Sequence, residues 1–431
     1  TIIGESGALD NLTTKIAGAD SSKSNTISIT NTSGADISIT LKDLSITHTD
    51  AKAWNVEDRA VNNDAAVSLE PSAHNINLSV TNCSISSTGV SNRATALNIF
   101  TDSNVNISNS KIFAEYYGIH VDLHPTVAIG SDITADILDS FSSGANPTLT
   151  ITNSSVDTYT ALTNDKYPIY LRSGANYTIN INNNSNVIGW CALYTKPGFI
   201  ASTINVENSN LIGMNNYAGT SNDFGVVVIE DPNNYSDASN YSSRNGKNNE
   251  INIKSGSTIS NYLPNVSNYY KNQEYPIVFN SYSQYVSNQN SLCNITKNTS
   301  VVNIEDSTLA LGDNLTKNFI NQNQNNTNNY ENIKLTGNVE FEYVNGEDTW
   351  KAPLIYGILD DKEVFKNASS TIQSAIDLAE NGDIIRLPAG IYTENLTINN
   401  NITISGVAES SESYSTQIVG KISVTAIGAV T

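Results

Sequence analysis

A short pattern of apolar and polar residues recurs along this chain and constrains its fold more than any other feature. Each copy has two alternating apolar residues, a polar pair centred on Asn-Ser or a similar pair, and another apolar residue. Such alternation is typical of a β-strand with one buried face, so the chain is predicted to be a repeat of short strands. Five clear copies are Leu78–Ile85, Val105–Ile112, Leu149–Val156, Ile204–Leu211 and Val302–Leu309, and looser copies are Ile179–Val187, Ile251–Ile259 and Ile333–Val339.

A second strand signal lies between successive copies of this pattern. It is carried by Ala96–Phe100, Tyr117–Val121, Tyr167–Leu171, Ala192–Tyr194, Gly225–Ile229 and Tyr275–Phe279. Helical periodicity is almost absent from this part of the chain. Each repeat therefore offers about three short strands, and repeats of about 24 to 51 residues fit one coil of a β-helix with variable loops.

The polar pair stands where one strand must bend sharply into the next. Asn tolerates the left-handed backbone conformation better than most residues with a side chain, and stacked Asn side chains can hydrogen-bond along a ladder. In these features the chain resembles the pectin-lyase-like right-handed β-helices, whose second turn carries such an asparagine ladder. We therefore predict an all-β fold, a right-handed parallel β-helix with three strands per coil.

One segment near residues 370–380 has the pattern of a short amphipathic helix. Ser370 and Gln373 have the spacing of a capping box. Ile372, Ile376 and Ala379 fall on one face at helical spacing. Together with the strand signals that follow, the segment resembles the opening module of pectin methylesterases, where a short helix plugs the first coil. Since an unplugged solenoid exposes apolar core and unpaired strand edges, a capping α-helix is predicted here.

The start of the chain matches this new start at a constant offset of 402 residues. Thr1–Gly4 aligns with Thr403–Gly406, and further identities pair Thr14 with Thr416, Ile16 with Ile418 and Gly18 with Gly420. We interpret the match as a tandem array, which is typical of surface adhesins and stalks. The predicted organisation is a β-helix body over residues 1–345, a linker over 346–368 and the start of a second β-helix unit over 369–431.

Composition excludes several classes of partner. The chain has 42 acidic and 22 basic residues and a formal net charge of −20, which repels nucleic acids and anionic lipid surfaces. No stretch reaches the roughly 20 apolar residues of a membrane span. Cys83, Cys191 and Cys293 are too few and too far apart for a disulfide framework or a zinc site. Cations, neutral glycans and basic protein patches stay compatible with this surface.

Enzymes that resemble this chain in fold carry motifs that it lacks. The Gly-His-Gly and Arg-Ile-Lys segments of polygalacturonase-like hydrolases are absent, as are the Asp-Phe-Ile-Phe-Gly and Gly-Arg-Pro-Trp segments of pectin methylesterases. Alternation places His120, Asp122 and His124 on one strand face. Arg172 and Glu230 follow analogous strands. A metal or general-base cluster there is an alternative to a plain polar face, but we assign no catalytic residue and no cofactor, and leave Ca²⁺ open.

Tyrosine dominates the aromatic residues, with 21 copies against 9 Phe and 3 Trp. An exposed Tyr offers a flat apolar face and a hydroxyl group, which suits sugar rings and protein partners. Local packing at coil ends is the alternative. The predicted ligand-binding residues are Tyr217, Tyr235, Tyr241, Tyr262, Tyr269, Tyr270 and Trp190, with Tyr194 and Trp54 as weaker candidates.

Together these features predict an extracellular, adhesin-like protein displayed at a cell surface or cell wall. Its loops are expected to bind a host or matrix glycan or a surface protein. Two alternatives stay open, namely a polysaccharide lyase or hydrolase with an unfamiliar site and a purely structural stalk.

Overall fold

In the computed structural model, most of the described residues lie in strands, and a short helix lies near the end. The described residues are 1–5, 9, 12–20, 25–33, 35–50, 65–71, 75–89, 94–123, 146–158, 166–213, 225–230, 249–260, 275–280, 300–312, 320–322, 333–336, 339–345, 348–350, 355–359, 364–369, 371–387, 390–406, 408–410, 413–414 and 416–425. Within them, the strands form three long sheets and three two-stranded pairs.

The three long sheets are named A, B and C, and their strands are numbered along the chain. Sheet A has 14 strands: β1 (Ile2–Ile3), β4 (Ile37–Lys42), β7 (Ile76–Thr81), β10 (Asn104–Ser108), β13 (Thr148–Thr152), β16 (Thr178–Asn182), β19 (Thr203–Glu207), β22 (Glu250–Lys254), β25 (Val301–Glu305), β28 (Ile333–Thr336), β32 (Val364–Ser369), β31 (Ile355–Leu359), β33 (Ile384–Arg386) and β36 (Thr403–Ser405). Sheet B has 11 strands: β2 (Lys15–Asp20), β5 (Ser45–Asp50), β8 (Ser84–Gly89), β11 (Lys111–Ala114), β14 (Ser155–Asp157), β17 (Asn186–Gly189), β20 (Asn210–Gly213), β23 (Thr258–Ser260), β26 (Thr308–Gly312), β29 (Glu340–Asn345) and β30 (Asp348–Trp350).

Sheet C and the small pairs complete the set of described strands. Sheet C has 9 strands: β3 (Ile27–Ile29), β6 (Ala65–Leu69), β9 (Thr95–Ile99), β12 (Tyr117–Asp122), β15 (Tyr167–Ala175), β18 (Leu193–Ile200), β21 (Gly225–Glu230), β24 (Tyr275–Asn280) and β27 (Ile320–Gln322). The pairs are β34 (Gly390–Thr393) with β39 (Thr416–Val419), β35 (Leu396–Ile398) with β40 (Ile422–Val424), and β37 (Ala408–Ser410) with β38 (Ser413–Tyr414).

The chain winds through the three sheets in a fixed order. From β1 to β29, consecutive strands lie in sheets A, B and C in turn, and neighbours within a sheet are three strands apart in the chain. Strand β10, for example, pairs in parallel with β7 and β13, so that Val105 lies opposite both Leu78 and Leu149. The predicted all-β parallel β-helix with three strands per coil is therefore confirmed.

The corners between sheets A and B are short and have a left-handed backbone. From β4 to β29 each of these corners contains two or three residues. Positive φ angles at them occur at Asp43, Asn82, Asn109, Asn153, Asn183, Asn184, Asn208, Ser255, Gly256 and Asp306. The Asn82 amide donates to the Asp43 carboxylate at 2.5 Å, and the Asn153 amide donates to the Asn109 carbonyl oxygen at 2.7 Å. The polar pair of each of the five clear sequence copies thus forms the sharp bend that was predicted for it.

The Ser residues that follow the corner Asn residues form a buried ladder of hydroxyl groups. The backbone N–H of Ser154 donates to the Ser185 hydroxyl oxygen, and that of Ser185 to the Ser209 hydroxyl oxygen, each at 3.2 Å. The Ser185 hydroxyl itself donates to the Asn182 carbonyl oxygen at 2.7 Å. The same link joins Cys83 to Ser110, Ser110 to Ser154, and Ser209 to Ser257. Each hydroxyl supplies an acceptor for a buried backbone N–H, which would otherwise be costly to desolvate.

Removal of one hydroxyl from this ladder tests its contribution to stability. Ser185→Ala is expected to lower the free energy of unfolding by about 1–3 kcal/mol, because the buried N–H of Ser154 loses its acceptor. The matched control is Ser155→Ala on a partly buried, outward-facing position of β14, with an expected change within about 0.5 kcal/mol. Urea unfolding followed by circular dichroism measures both. Equal losses in the two variants would contradict the ladder.

Inward-facing side chains stack into apolar rows through the body. One row of sheet A runs from coil to coil through Leu78, Val105, Leu149, Ile179, Ile204, Ile251 and Val302, all at most 2% exposed. A single coil cannot bury such residues alone, whereas stacked neighbours cover them on both sides. The core is therefore continuous along the solenoid and holds each sheet in register.

The predicted capping helix is confirmed as α1 (Ile372–Leu378). Its apolar face, formed by Ile372, Ile376 and Ala379, is buried and packs in one cluster with Ile385 and Leu396. Since β33 and β35 contain the last two residues, the helix covers the first coil of the second set of strands. The physical role expected for it, protection of an open coil, is thus fulfilled within the described residues.

The capping box predicted for this helix was wrong in its details. The N-cap is Thr371, whose side-chain oxygen accepts from the backbone N–H of Ser374 at 3.1 Å, instead of Ser370 paired with Gln373. The Glu394 carboxylate accepts the backbone N–H groups of Ile372 and Gln373. A carboxylate from the coil that the helix covers therefore replaces the local partner, which sequence spacing alone cannot reveal.

Strands occupy much of the segment that was predicted as a linker, residues 346–368. It contains β30, β31 and most of β32. Strand β31 runs antiparallel to both β32 and β33 and so extends sheet A from the body into the second set of coils. The predicted unit boundaries themselves stay a prediction.

In the part of the chain that the structure describes, no helix is long and apolar enough to cross a membrane.

Candidate functional site

Long connections between strands are concentrated at the two ends of the sheet C strands. In the coils from β4 to β28, corners between sheets A and B have two or three residues, whereas every connection longer than ten residues enters or leaves sheet C. These connections are residues 51–64, 123–147, 214–224, 231–249, 261–274 and 281–300. Because a regular scaffold with variable connections at one flank is a common arrangement for binding, this flank is the candidate site.

Most of the Tyr residues predicted to bind a ligand lie in these connections. Tyr217, Tyr235, Tyr241, Tyr262, Tyr269, Tyr270 and also Trp54 lie outside the described residues. Trp190 and Tyr194 are described, and they are 4% and 1% exposed. Both belong to a buried cluster on the outward side of sheet C, so any contact with a ligand would require that cluster to open.

The outward side of sheet C carries a row of polar and aromatic side chains in register. Ser68, Asn98, His120, Tyr170 and Tyr194 follow one another from β6 to β18. Their neighbours along each strand, such as Leu97 and Ile119, point into the main core. All five residues of the row are at most 4% exposed. We name these residues, together with Tyr117, Asp122, Tyr167, Arg172 and Trp190, the sheet C cluster.

A buried ion pair lies at the centre of the cluster. The Arg172 guanidinium Nη1 donates to Asp122 Oδ2 at 2.5 Å, and the Ser173 hydroxyl donates to Asp122 Oδ1 at 2.5 Å. The His120 Nε2 atom lies 3.9 Å from Asp122 Oδ2. Asp122, His120 and Arg172 are 1%, 1% and 6% exposed. Since a buried carboxylate needs charged and polar donors, the pair and the serine satisfy one another in place of water.

A strand irregularity brings these residues together. Between Val121 and Asp122 the register of β12 with β15 shifts, so that Asp122 lies opposite Ser173 and Arg172 is the extra residue. A β-bulge of this kind re-aims the side chain of the extra residue. It lets both Arg172 and Ser173 reach the same carboxylate, which regular alternation along β15 would prevent.

Stacked rings form the rest of the cluster. The rings of Tyr117 and Tyr170 are 4.6 Å apart and nearly parallel, at 6°. Tyr170 is 5.8 Å from Tyr194, and Trp190 meets Tyr167 edge to face at 5.4 Å. Such contacts add about 0.5–1.5 kcal/mol each to the free energy of burial. The rings therefore make this flank a rigid wall within the described residues.

The surroundings of Arg172 and Tyr117 set the protonation states of these two residues. Burial acts to lower the pKa of Arg172, but the charge of Asp122, with Tyr170 and Tyr117, outweighs it and raises the pKa. Burial raises the pKa of the Tyr117 hydroxyl well above its ordinary value, and Tyr116 and Tyr170 add to the effect. Arg172 thus stays a cation and Tyr117 stays neutral in the physiological pH range.

The arrangement is suited to rigidity more than to proton transfer. Asp122 already accepts from Arg172 and Ser173 and is 1% exposed, so a substrate cannot reach its oxygens while the cluster is closed. The sequence placed His124 on the same strand face as Asp122 and noted that Glu230 follows an analogous strand. His124 and the side chain of Glu230 lie outside the described part of the chain. Among the described residues, no group of three or more His, Cys, Asp and Glu could hold a metal ion.

Burial of other ionisable groups predicts a loss of stability at alkaline pH. Burial raises the pKa of Cys191 and Tyr177 above their ordinary values of 9.0 and 10.0. In the unfolded chain both groups lose protons near those values, whereas the folded chain keeps them. The contribution is therefore fully present below about pH 9 and falls at higher pH, by about 1.4 kcal/mol per pH unit for each group.

Urea unfolding at pH 8, 9, 10 and 11 measures this dependence. The comparison variant is Cys191→Ala, which removes the group with the lower ordinary pKa. We expect it to flatten the fall in unfolding free energy between pH 9 and 10. An unchanged slope in that interval would contradict the assignment.

Sequence reasoning found part of the cluster and missed the rest. It placed His120 and Asp122 on one strand face together with His124, and it noted that Arg172 follows an analogous strand. In the structure His120, Asp122 and Arg172 lie together. Sequence reasoning did not find Ser173 or the stacking of Tyr117 on Tyr170. Alignment of the strand segments at their Tyr residues could have found the stack, whereas the bulge at Arg172 has no sequence signal.

Comparison with protein-family models, with curated proteins and with solved structures finds no match for this chain.

Proposed function

We propose that this protein is an extracellular, surface-displayed β-helix of the adhesin-like type and that it binds its ligand on the sheet C flank. The observation that carries the proposal is the position of the long connections, which all enter or leave sheet C in the coils from β4 to β28. Binding residues are commonly carried by loops that a rigid scaffold positions. The sheet C cluster makes the described part of that scaffold rigid.

Charge and residue type favour a neutral glycan as the ligand. The net charge of −20 disfavours nucleic acids and acidic polymers. The connections of this flank contain Tyr217, Tyr235, Tyr241, Tyr269 and Tyr270, and Tyr rings stack well on sugar rings while their hydroxyl groups hydrogen-bond. A surface protein with a basic patch is the second class of ligand that suits such a flank.

The proposal includes membership of the pectin-lyase-like superfamily. Three strands per coil, the Asn corners and the capping helix α1 support it. Members of that superfamily include lyases and hydrolases of polysaccharides, so an enzymatic function is the alternative. Among the described residues, the buried ion pair of Asp122 and Arg172 is the feature that bears on this alternative.

A glycan array with the purified chain tests the proposal. We expect binding to neutral glycans and a loss of at least tenfold in affinity for the variant Tyr241→Ala/Tyr269→Ala/Tyr270→Ala, because three aromatic contacts are removed. The control variant, Ser79→Ala/Thr150→Ala/Lys254→Ala, changes the outward face of sheet A and should bind as the wild type does. A lyase and hydrolase assay on polygalacturonate and neutral polysaccharides runs in parallel.

Three outcomes would overturn the proposal. Equal losses of glycan affinity in the two triple variants would show that the ligand does not bind at the sheet C flank. A silent array combined with turnover of a polysaccharide would establish the enzyme. If no binding and no turnover were detected in either assay or in a screen of surface proteins, the structural stalk would be the favoured function.

A further inference from the structure

The Asn residues on the outward face of sheet A differ in the contacts of their side-chain amides. Within the described part of the chain, the Nδ2 atoms of Asn77 and Asn106 donate to no other residue. Four others donate through Nδ2 to an Asn carbonyl oxygen of the preceding strand, at 2.8–3.1 Å, namely Asn104, Asn205, Asn252 and Asn303. The amide nitrogen is therefore engaged in a ladder in one set and free in the other.

The sequence around Asn77 and Asn106 has a pattern that the ladder residues lack. Asn77-Leu78-Ser79 in β7 and Asn106-Ile107-Ser108 in β10 match the acceptor pattern for N-linked sugars, Asn-x-Ser/Thr with x other than Pro. From β4 to β25, no other Asn on this face has Ser or Thr two positions further on; these residues are Asn104, Asn180, Asn182, Asn205, Asn252 and Asn303. The complete pattern thus coincides with a free Nδ2.

Strand geometry presents both parts of the pattern to solvent. Side chains alternate across a strand, so Asn106 and the Ser108 hydroxyl lie on the outward face while Ile107 is buried. In register with Asn106, the neighbouring strands carry Ser79 and Thr150. Because these neighbours are short, the space above the exposed amide is open to a bulky group. Asn77 is likewise exposed in β7.

The Asn-x-Ser segments at the corners between sheets A and B have a different environment. Asn82 and Asn153 each precede a Ser by two positions. The Nδ2 atom of Asn82 donates to Asp43 at 2.5 Å, and that of Asn153 donates to Asn109 at 2.7 Å. A sugar on either nitrogen would crowd the corner and displace the partner. The structure therefore separates segments that are equivalent as sequence patterns.

We propose that Asn77 and Asn106 carry N-linked sugars and that Asn82 and Asn153 do not. The inference rests on the extracellular display proposed above, since such sugars are found on secreted and surface proteins. A sugar on Asn82 or Asn153 would hinder closure of the corner, so folded copies lack it.

Attachment of the sugar needs one co-reactant, a lipid-linked oligosaccharide phosphate. The bond between the sugar C1 atom and the phosphate oxygen breaks, and a bond forms between C1 and Asn Nδ2. The lipid phosphate leaves with the electron pair of the broken bond and takes up the proton that Nδ2 loses. No oxidant or reductant takes part.

Mass spectrometry of peptides from the native protein, isolated from the cells that produce it, tests the inference. Trypsin cleaves after Lys and Arg, so Asn77 and Asn82 fall in the peptide 60–93, Asn106 in the peptide 94–111 and Asn153 in the peptide 112–166. We expect an added sugar mass on the first two peptides and none on the third. Fragmentation of the first peptide should place the sugar on Asn77. The unmodified chain made in a bacterial cytoplasm gives the reference masses.

Variants made in the producing cells test the dependence on the hydroxyl group. Ser108→Ala keeps Asn106 and should abolish the added mass on the peptide 94–111, whereas Ser108→Thr should retain it. The matched control Asn153→Gln should leave the sugars on the other peptides unchanged. Equal sugar on the peptide 94–111 in Ser108→Ala and in the wild type would overturn the inference.

Protease treatment of intact cells separates failure of this inference from failure of the proposed function. A chain that is cleaved from outside but has no sugar on Asn77 and Asn106 would overturn the inference and leave surface display standing. A chain that is protected inside the cell would overturn both. Sugar on Asn82 or Asn153 of the folded protein would contradict the selection by the free Nδ2 atom.

Discussion

Replacement of Asp122 by Ala is expected to lower the free energy of unfolding by about 3–5 kcal/mol, because it leaves the Arg172 cation buried without its partner. The guanidinium is 6% exposed and donates to this carboxylate at 2.5 Å, so water cannot take over the lost contact without the cluster opening. Ser173 loses an acceptor in the same step. Urea unfolding at pH 7 measures the change.

A double variant separates the cost of an unpaired charge from the value of the pair. Asp122→Leu/Arg172→Met removes both charges and keeps similar volumes, so most of the lost stability should return. Glu207→Ala, a change at an exposed carboxylate of β19, is the control and should stay within about 0.5 kcal/mol of the wild type. A double variant that is as unstable as Asp122→Ala would show that packing, not the buried charge, dominates.

Replacement of Tyr170 by Ala is expected to cost about 3–5 kcal/mol, because a large buried ring leaves a cavity in the cluster. Tyr170 is 4% exposed and contacts the rings of Tyr117, Tyr167 and Tyr194. The loss should appear in urea unfolding and as a weaker near-UV circular dichroism signal, since the remaining rings lose their fixed packing.

The variant Tyr170→Phe distinguishes the ring from its hydroxyl group. It keeps the stacking on Tyr117 and removes a single polar atom, so we expect a change of about 0.5–1.5 kcal/mol. If Tyr170→Phe were as destabilising as Tyr170→Ala, the hydroxyl group and not the stacked ring would hold the cluster together.

The regular part of this fold could be predicted from the sequence because its signals are local. Alternation fixes which residues of β7, β10 and β13 point inward, and Asn82, Asn109 and Asn153 occupy the corners at which a left-handed residue is required. The helix α1 followed from its apolar spacing. In each case the residues that determine the local structure lie within the same short segment of the chain.

Features that depend on contacts between coils could not be predicted. The bulge that brings Arg172 to Asp122 depends on the register of two strands whose residues are 50 positions apart in the chain. The cap of α1 depends on Glu394, which lies 22 positions further along the chain in the coil that the helix covers. The spacing of residues within one segment does not show which distant residues will contact one another. The ligand-binding role predicted for the Tyr residues and for Trp190 stays a prediction.

Distances between spin labels on the outward face of sheet A test the stacked coil most directly. Thr40, Ser79, Asn205 and Asn252 belong to one row in register. Neighbouring strands are about 4.8 Å apart, so the pairs Ser79–Asn205, Thr40–Asn205 and Thr40–Asn252 should give narrow distributions near about 19, 24 and 29 Å. Equal increments of about 4.8 Å per coil, despite coils of unequal length in residues, are what a parallel β-helix requires. Distances that instead followed the number of residues between the labels, or that failed to rise from pair to pair, would contradict it.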